Sequence, residues 1–265
     1  MPLVRARLDT LERLLDAPGE VFKKNSRRSV VRIEIAGPGA PRRIYVKAHP
    51  SPPAPRLVAR LFGRASPTPA RREWENLVHL ERLGIRSMSP VALAEEPGDG
   101  PGRRSVLVTE EIEGVSRVED FMPGKYPPGR LSRDLARSKR RLVERLAELA
   151  RRFHGAGFFH KDFYLGHVLV REEPGPDFAL WLIDLQRTER RERPCVRWFV
   201  KDLAQMLYTA PTPPVSAADK VRFLRLYRGV RRLGPAERGL TRRVLAKWRR
   251  MVRRFERKGP IRDWR

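Results

Sequence analysis

Apolar positions along the first hundred residues change their spacing several times. Leu8, Leu11, Leu14 and Leu15 recur at helical intervals, which predicts a short amphipathic helix stopped near Pro18-Gly19. Val31, Ile33 and Ile35 then alternate with Arg32 and Glu34, the two-residue period of a half-buried strand. Gly37-Pro38-Gly39-Ala40-Pro41 turns the chain into a second strand, Ile44-Tyr45-Val46-Lys47, so an antiparallel meander is expected. Residues 48–70 are rich in proline around Leu57–Phe62 and read as an insertion or flap. From Ala70 a helical stripe of Trp74, Leu77, Val78, Leu80 and Leu83 runs to Gly84, and Ser105–Thr109 reads as another strand.

The second half is helical by pattern apart from one hairpin. Leu142, Leu146, Leu149 and Phe153 place a buried stripe on Lys139–His154, which Gly155 and Gly157 end. Val168-Leu169-Val170 and Ala179–Ile183 are strand-like, with the turn-forming stretch Glu172–Asp177 between them. Antiparallel pairing of these two strands would bring His167, before the first, beside Asp184, after the second. Asp162 lies on the loop leading in, so two carboxylates and an imidazole gather where a metal-bound phosphate could be held. Trp198–Tyr208 reads as a helix, and Val221–Arg265 as helical, very basic and interleaved with Phe223, Tyr227, Trp248 and Phe255.

His160-Lys161-Asp162-Phe163-Tyr164-Leu165-Gly166-His167, followed by Leu182-Ile183-Asp184-Leu185-Gln186-Arg187, resembles the catalytic core of the protein kinase-like superfamily. In that superfamily an H-x-D loop supplies the Asp that positions the acceptor hydroxyl, and a later Asp binds magnesium. Protein kinases carry Asn five residues after the catalytic Asp, whereas this chain has His167. With that His the run is similar to the lipopolysaccharide kinase (Kdo/WaaP-like) family, specifically over residues 160–187 and more loosely elsewhere. The resemblance implies an α+β, two-lobed protein kinase-like fold, with a small nucleotide-binding lobe over residues 1–112 and a helical catalytic lobe over 113–265. It implies ATP and Mg²⁺ as cofactors and a heptose or Kdo hydroxyl of the lipopolysaccharide inner core as acceptor.

The resemblance also implies roles. Asp162 is the catalytic residue; Lys47, Glu73, His167 and Asp184 bind the nucleotide; Asp184 and His167 face the metal. Glu75 competes with Glu73 as partner of Lys47. Asp202 matches the helix Asp that accepts hydrogen bonds from the catalytic loop backbone. Glu110–Gly114 falls where a kinase hinge would lie, and Thr188–Arg193 takes the place of a short activation loop. The segment before Ser29 departs from the family pattern of kinases, having no Gly-x-Gly-x-x-Gly, and Lys23, Lys24, Arg27 and Arg28 stand there instead. Imidazole is a poorer Mg²⁺ ligand than a carboxamide oxygen, so His167 is assigned to the site without direct ligation.

Composition narrows the partners. Lys plus Arg number 57 against 31 Asp plus Glu, a formal charge of +26 that attracts polyanions such as acidic phospholipid or phosphorylated glycolipid. Cys195 is the single cysteine, which excludes an intramolecular disulfide and fits a reducing cytoplasm. Charges interrupt Met1–Glu20, unlike a secretory signal, and no run reaches the ~18 apolar residues of a spanning helix. A cytoplasmic monomer, peripheral at the inner membrane face, is expected, with nucleic acid not a partner. Other readings remain: a kinase for another glycolipid, small molecule or protein; a metallohydrolase using His160, Asp162, His167 and Asp184; a pseudokinase; or a basic polyanion-binding module. Retention of Lys47, Asp162 and Asp184 speaks for catalysis.

Overall fold

The computed structural model describes residues 3, 6–25, 28–36, 41–50, 67–98, 102–193 and 195–258. Of the proline-rich stretch 48–70, residues 51–66 lie outside the described residues, as do Arg27, the Gly37–Ala40 turn and residues 259–265, while the two ends of that stretch belong to a strand and to the start of a helix. The chain divides into two compact units, Met1–Glu113 with Asp184–Gln186, and Gly114–Ile183 with Arg187–Arg265.

The first unit is built on a five-stranded antiparallel sheet in the order β1-β2-β3-β5-β4. Its strands are β1 (Glu20–Asn25), β2 (Arg28–Ile35), β3 (Arg42–His49), β4 (Pro90–Glu95) and β5 (Ser105–Glu110). Period-two alternation sorts β3 into two faces. Ile44, Val46 and Ala48 join Val106, Val108, Leu8 and Leu14 in one buried cluster, which the short helix α1 (Leu11–Leu15) covers. Tyr45, Lys47 and His49 therefore point to the other face, toward helix α2 (Pro69–Arg82). Thr68 caps α2 by accepting from the Arg71 backbone N–H, Pro69 opens the helix, and Gly84 (φ 61°) lies just beyond it. Strand β4 escaped the sequence pattern because its small and proline residues give no clear alternation.

The second unit is mostly helical. Its elements are β6 (Ser116–Arg117), α3 (Val118–Lys125), α4 (Arg133–Gly155), β7 (Phe158–Phe159), β8 (Val168–Glu172), β9 (Phe178–Leu182), β10 (Glu189–Arg190), α5 (Val196–Thr209), α6 (Ala217–Arg228) and α7 (Pro235–Lys258). Helix α4 starts earlier than its apolar stripe, because Ser132 accepts from the Leu135 N–H and Asp134 suits the positive helix end. Leu142, Leu146, Leu149, Ala150 and Phe153 are buried along it. Pro123 inside α3 hid that helix from the sequence pattern. The basic C-terminal run is two helices rather than one: Gly229 takes a left-handed conformation (φ 67°) and stops α6. Half-buried Trp248 and Phe255 pack against Tyr164, Ala204 and Met251, so these α7 aromatics belong to the core. Among the described residues no helix is long and apolar enough to cross a membrane.

Candidate active site

In the first unit, the Lys47 ammonium lies 2.5 Å from Glu73 Oε1 and 3.9 Å from Asp184 Oδ1. Glu73 is fully buried on α2, whereas Glu75 is exposed, so the helix supplies one partner for Lys47 and not the other. An ion pair this deep forgoes hydration, and only close geometry offsets that cost. Asn76, one turn along α2, donates to the Leu185 carbonyl at 3.1 Å and ties the Asp184–Gln186 segment to the helix. Asp184 itself adopts positive φ (58°), a conformation Asp tolerates better than most residues and one common at functional positions.

Arg28, at the start of β2, joins the same group. Its Nη2 is 3.8 Å from Asp184 Oδ1, and its Nη1 donates to Gln186 Oε1 at 3.2 Å. His49, two residues after Lys47, is buried there too, and burial together with the Arg28 and Lys47 charges holds its pKa at about 3. The ring is thus neutral. Sequence reasoning passed over His49; its place two residues beyond Lys47 on the same strand face was the available signal.

The second unit holds the His160–His167 loop. The buried Asp202 carboxylate accepts from the backbone N–H groups of His160 (2.8 Å) and Lys161 (2.9 Å), and His154 Nε2 is 3.3 Å away. Gln205, one turn along α5, accepts from the Phe163 N–H at 3.1 Å and donates to the Lys161 carbonyl at 3.0 Å. Lys161 takes positive φ (66°), which turns the chain into Asp162, whose Oδ1 accepts from Gln205 Nε2 at 3.4 Å. His160 is fully buried, with Nε2 2.9 Å from the Ile183 carbonyl and its ring stacked on Phe163. It clamps the loop to the β8–β9 hairpin.

His167 Nδ1 is 2.7 Å from the Asp162 carbonyl, and since a carbonyl only accepts, Nδ1 carries the proton of this bond. The hairpin pairs Val168 with Leu182, and the Ile183 N–H donates to the His167 carbonyl at 2.9 Å. Asp184 follows directly in the chain. A Cβ at Gly166 would lie 2.3 Å from Glu119 Oε1, so a side chain there would push the Glu119 carboxylate aside. Burial raises the Glu119 pKa, with Asp120 adding to the rise.

The Asp162 carboxylate, with its side chain 16% exposed, receives Arg187 Nη1 at 3.0 and 2.9 Å, and Lys201 Nζ is 3.9 Å away. Arg187 itself is 62% exposed and can leave without opening the core. Among the described residues no group of three or more His, Cys, Asp or Glu forms a ready-made metal cage. A hard cation held by one or two carboxylates and substrate phosphates needs no such cage.

Known proteins share this architecture. Residues 16–227 match the lipopolysaccharide kinase (Kdo/WaaP) family. The chain is 31% identical over 262 residues to lipopolysaccharide core heptose(I) kinase WaaP of Pseudomonas aeruginosa, covering 96% of this chain and 94% of that one. It is 28% identical to the Escherichia coli protein of the same name, over 83% of this chain and 81% of the relative. A solved structure, WaaP in complex with acyl carrier protein, superposes with a TM-score of 0.69 at 30% identity, over 92% of this chain and 91% of that one. The chain therefore belongs to the lipopolysaccharide kinase (Kdo/WaaP) family and is a phosphotransferase of protein kinase-like fold.

Proposed function

We propose that the chain transfers the γ-phosphate of ATP to a heptose hydroxyl of the lipopolysaccharide inner core. The observation that carries the reading is the Asp162 loop, anchored by Asp202 and Gln205 so that one carboxylate faces outward among cations. Relatives named as heptose(I) kinases favour heptose over Kdo.

Asp162 would orient the attacking hydroxyl and accept its proton, an effect of ~10²–10⁴-fold in comparable general-base systems. Lys47, fixed by Glu73, would neutralise the nucleotide phosphates, with Arg28 supplying further charge. Asp184 would hold Mg²⁺: its oxygens are the hard donors this ion prefers, and Lys47 and Arg28 beside it suit a site that also takes phosphates. Bound there, the ion would neutralise charge developing on the phosphates. His167, which the resemblance assigns to the metal side, would hold the loop by donating from Nδ1 to the Asp162 carbonyl. The small unit, residues 1–112, is the nucleotide-binding part in this reading, and residues 113–265 the acceptor part.

The test is transfer of labelled γ-phosphate from Mg-ATP to deacylated inner-core glycolipid. Label on heptose supports the proposal; label on Kdo alone, or ATP turnover without sugar labelling, overturns the heptose assignment. Exposed Arg242, Arg249, Arg253 and Arg257 on α7 suit peripheral contact with an acidic membrane surface.

A second partner rests on a different observation. The second unit contains an apolar cavity of about 190 Å³ lined by Met122, Leu146, Leu203, Met206, Phe223 and Leu245 among others. With a neighbour solved bound to acyl carrier protein, we propose that acyl carrier protein binds here as well, its acyl group filling this cavity. Acylated carrier protein should raise the melting temperature more than the unacylated form; equal effects would remove the cavity from the argument.

A further inference from the structure

The surface around Asp162 carries more positive charge than its acids balance. Trp198, at the start of α5, has three cations around its ring: Lys161 Nζ at 4.6 Å, Arg197 Cζ at 5.0 Å and Lys201 Nζ at 5.6 Å from the centroid. Lys201 also donates to the Lys161 carbonyl and lies 3.9 Å from Asp162 Oδ1. From α7, Lys247 extends the group: its ammonium is depressed by burial first, then by Arg250, Arg197 and Arg254. Lys201 is depressed by burial as well, with Arg187 and Lys247 adding repulsion against the pull of Asp162 and Asp202.

The acids nearby are already committed. Asp202 is buried and accepts from the loop backbone; Glu189 pairs with both Lys161 and Arg191. Asp162 is left to face Arg187 and Lys201. Mutually repelling cations gathered on two helices cost stability unless an anion joins them. Phosphoryl transfer itself does not account for cations on α7. The ring of Trp198 holds two of the cations, Arg197 and Lys201, in place, which favours a fixed subsite over a mobile charge cloud.

We propose that Arg187, Lys201 and Arg197, with Lys247 beside them, form an oxyanion subsite next to Asp162, taking a carboxylate or phosphate that the acceptor glycolipid carries next to the sugar it presents for phosphorylation. The inference rests on the reading of Asp162 as the residue that faces the acceptor hydroxyl. Arg187 closes over Asp162 when no acceptor is present and turns to the acceptor's anion when one binds. The subsite thereby couples recognition of the charged neighbour to uncovering of Asp162. A sugar lacking the anion leaves Arg187 on the carboxylate and is a poor substrate.

The experiment titrates the full chain with water-soluble deacylated inner-core oligosaccharide in three forms: intact, with its sugar-acid carboxyls reduced to alcohols, and with its phosphates removed. The double variant Arg197→Gln/Lys247→Gln should bind the intact form about tenfold or more weakly, as loss of charge-assisted contacts implies. The same variant should match wild type on whichever neutralised form lacks the recognised anion, which identifies that anion as carboxylate or phosphate. Lys247→Arg should restore binding, which a merely structural role for the lysine would not require. An intact-form Kd within twofold of wild type, or equal weakening on all three forms, overturns the subsite. So does a double variant that loses only acyl carrier protein or anionic vesicles while binding the soluble acceptor normally. Wild-type binding of acceptor without phosphate transfer would instead defeat the proposed function and leave the subsite standing.

Discussion

Two charged groups, one in each unit, solve opposite problems. In the first, Lys47, Glu73, Asp184 and Arg28 alternate cation and anion, and Glu73 lies wholly out of water. In the second, Asp162 faces Arg187 and Lys201, with Lys247 of α7 repelling Lys201 in turn, so the group is partly exposed and short of negative charge. A buried alternating set fixes a geometry, since moving either partner strands a charge in a poor solvent. An exposed set with excess charge fixes little by itself but presents a field to a ligand. The first group thus suits a partner that is the same in every turnover, the nucleotide. The second suits selection among acceptors.

The sharpest way to break this contrast is at Asp162. Asp162→Asn should lower kcat by about 10²–10⁴-fold, the usual contribution of a general base, while ATP still raises the melting temperature as in wild type. If nucleotide stabilisation vanished with catalysis, the two groups would not be functionally separate.

Next in size is Lys47→Met. It leaves the Glu73 carboxylate buried without its cation, which should cost about 3–5 kcal/mol in denaturant unfolding. Lys47→Met/Glu73→Gln should recover much of that loss. Arg187→Gln, which breaks the exposed pair with Asp162, should change stability by less than about 1 kcal/mol. Equal losses at Lys47 and Arg187 would refute the distinction between a fixing and a presenting group.

Asp202→Asn tests what keeps the exposed group in order. The two loop N–H groups would meet a weaker, half-donor amide, with about 1–3 kcal/mol lost and kcat reduced while acceptor Kd changes little. A variant with wild-type kcat would show that α5 does not position Asp162.

Much of this arrangement is legible in the order of residues along the chain. The His160–His167 loop and Asp184 stand out because chemistry-bearing residues sit beside short strands of clear period. Lys47 stands out by its resemblance to the kinase lysine at the end of a strand, and the hairpin by the turn chemistry of Glu172–Asp177 between its strands. What the sequence withholds is whatever depends on a second element. The choice of Glu73 over Glu75 needs the rotation of α2 against the sheet; both are helical carboxylates two residues apart. The cations on Trp198 come from the loop and α5, with Lys247 added from α7, and no spacing joins them. Local breakers mislead too: Pro123 conceals α3, and the basic C-terminal run conceals the stop at Gly229.

A milder perturbation, of pH rather than of sequence, probes the buried side of the contrast through His49. The residue is 2% exposed, lies near Arg28, Lys47 and Asp184, and has its pKa lowered from 6.5 to about 3 by burial first and by the two cations next, against the pull of Asp184. The unfolded chain therefore binds a proton below pH 6.5 that the folded chain refuses until about pH 3. Stability should fall as pH drops through that window, with a slope of at most ~1.4 kcal/mol per pH unit. Between pH 7.5 and 5.5 this amounts to ~1.4 kcal/mol, or a few degrees in melting temperature for a chain of this size. His49→Gln has no such proton to refuse and should flatten this part of the profile. Parallel wild-type and variant profiles would mean that the ring already accepts its proton in the fold. The charges beside Asp184 would then be less tightly balanced than the Lys47–Glu73 pair implies, and the two groups would differ in depth but not in kind.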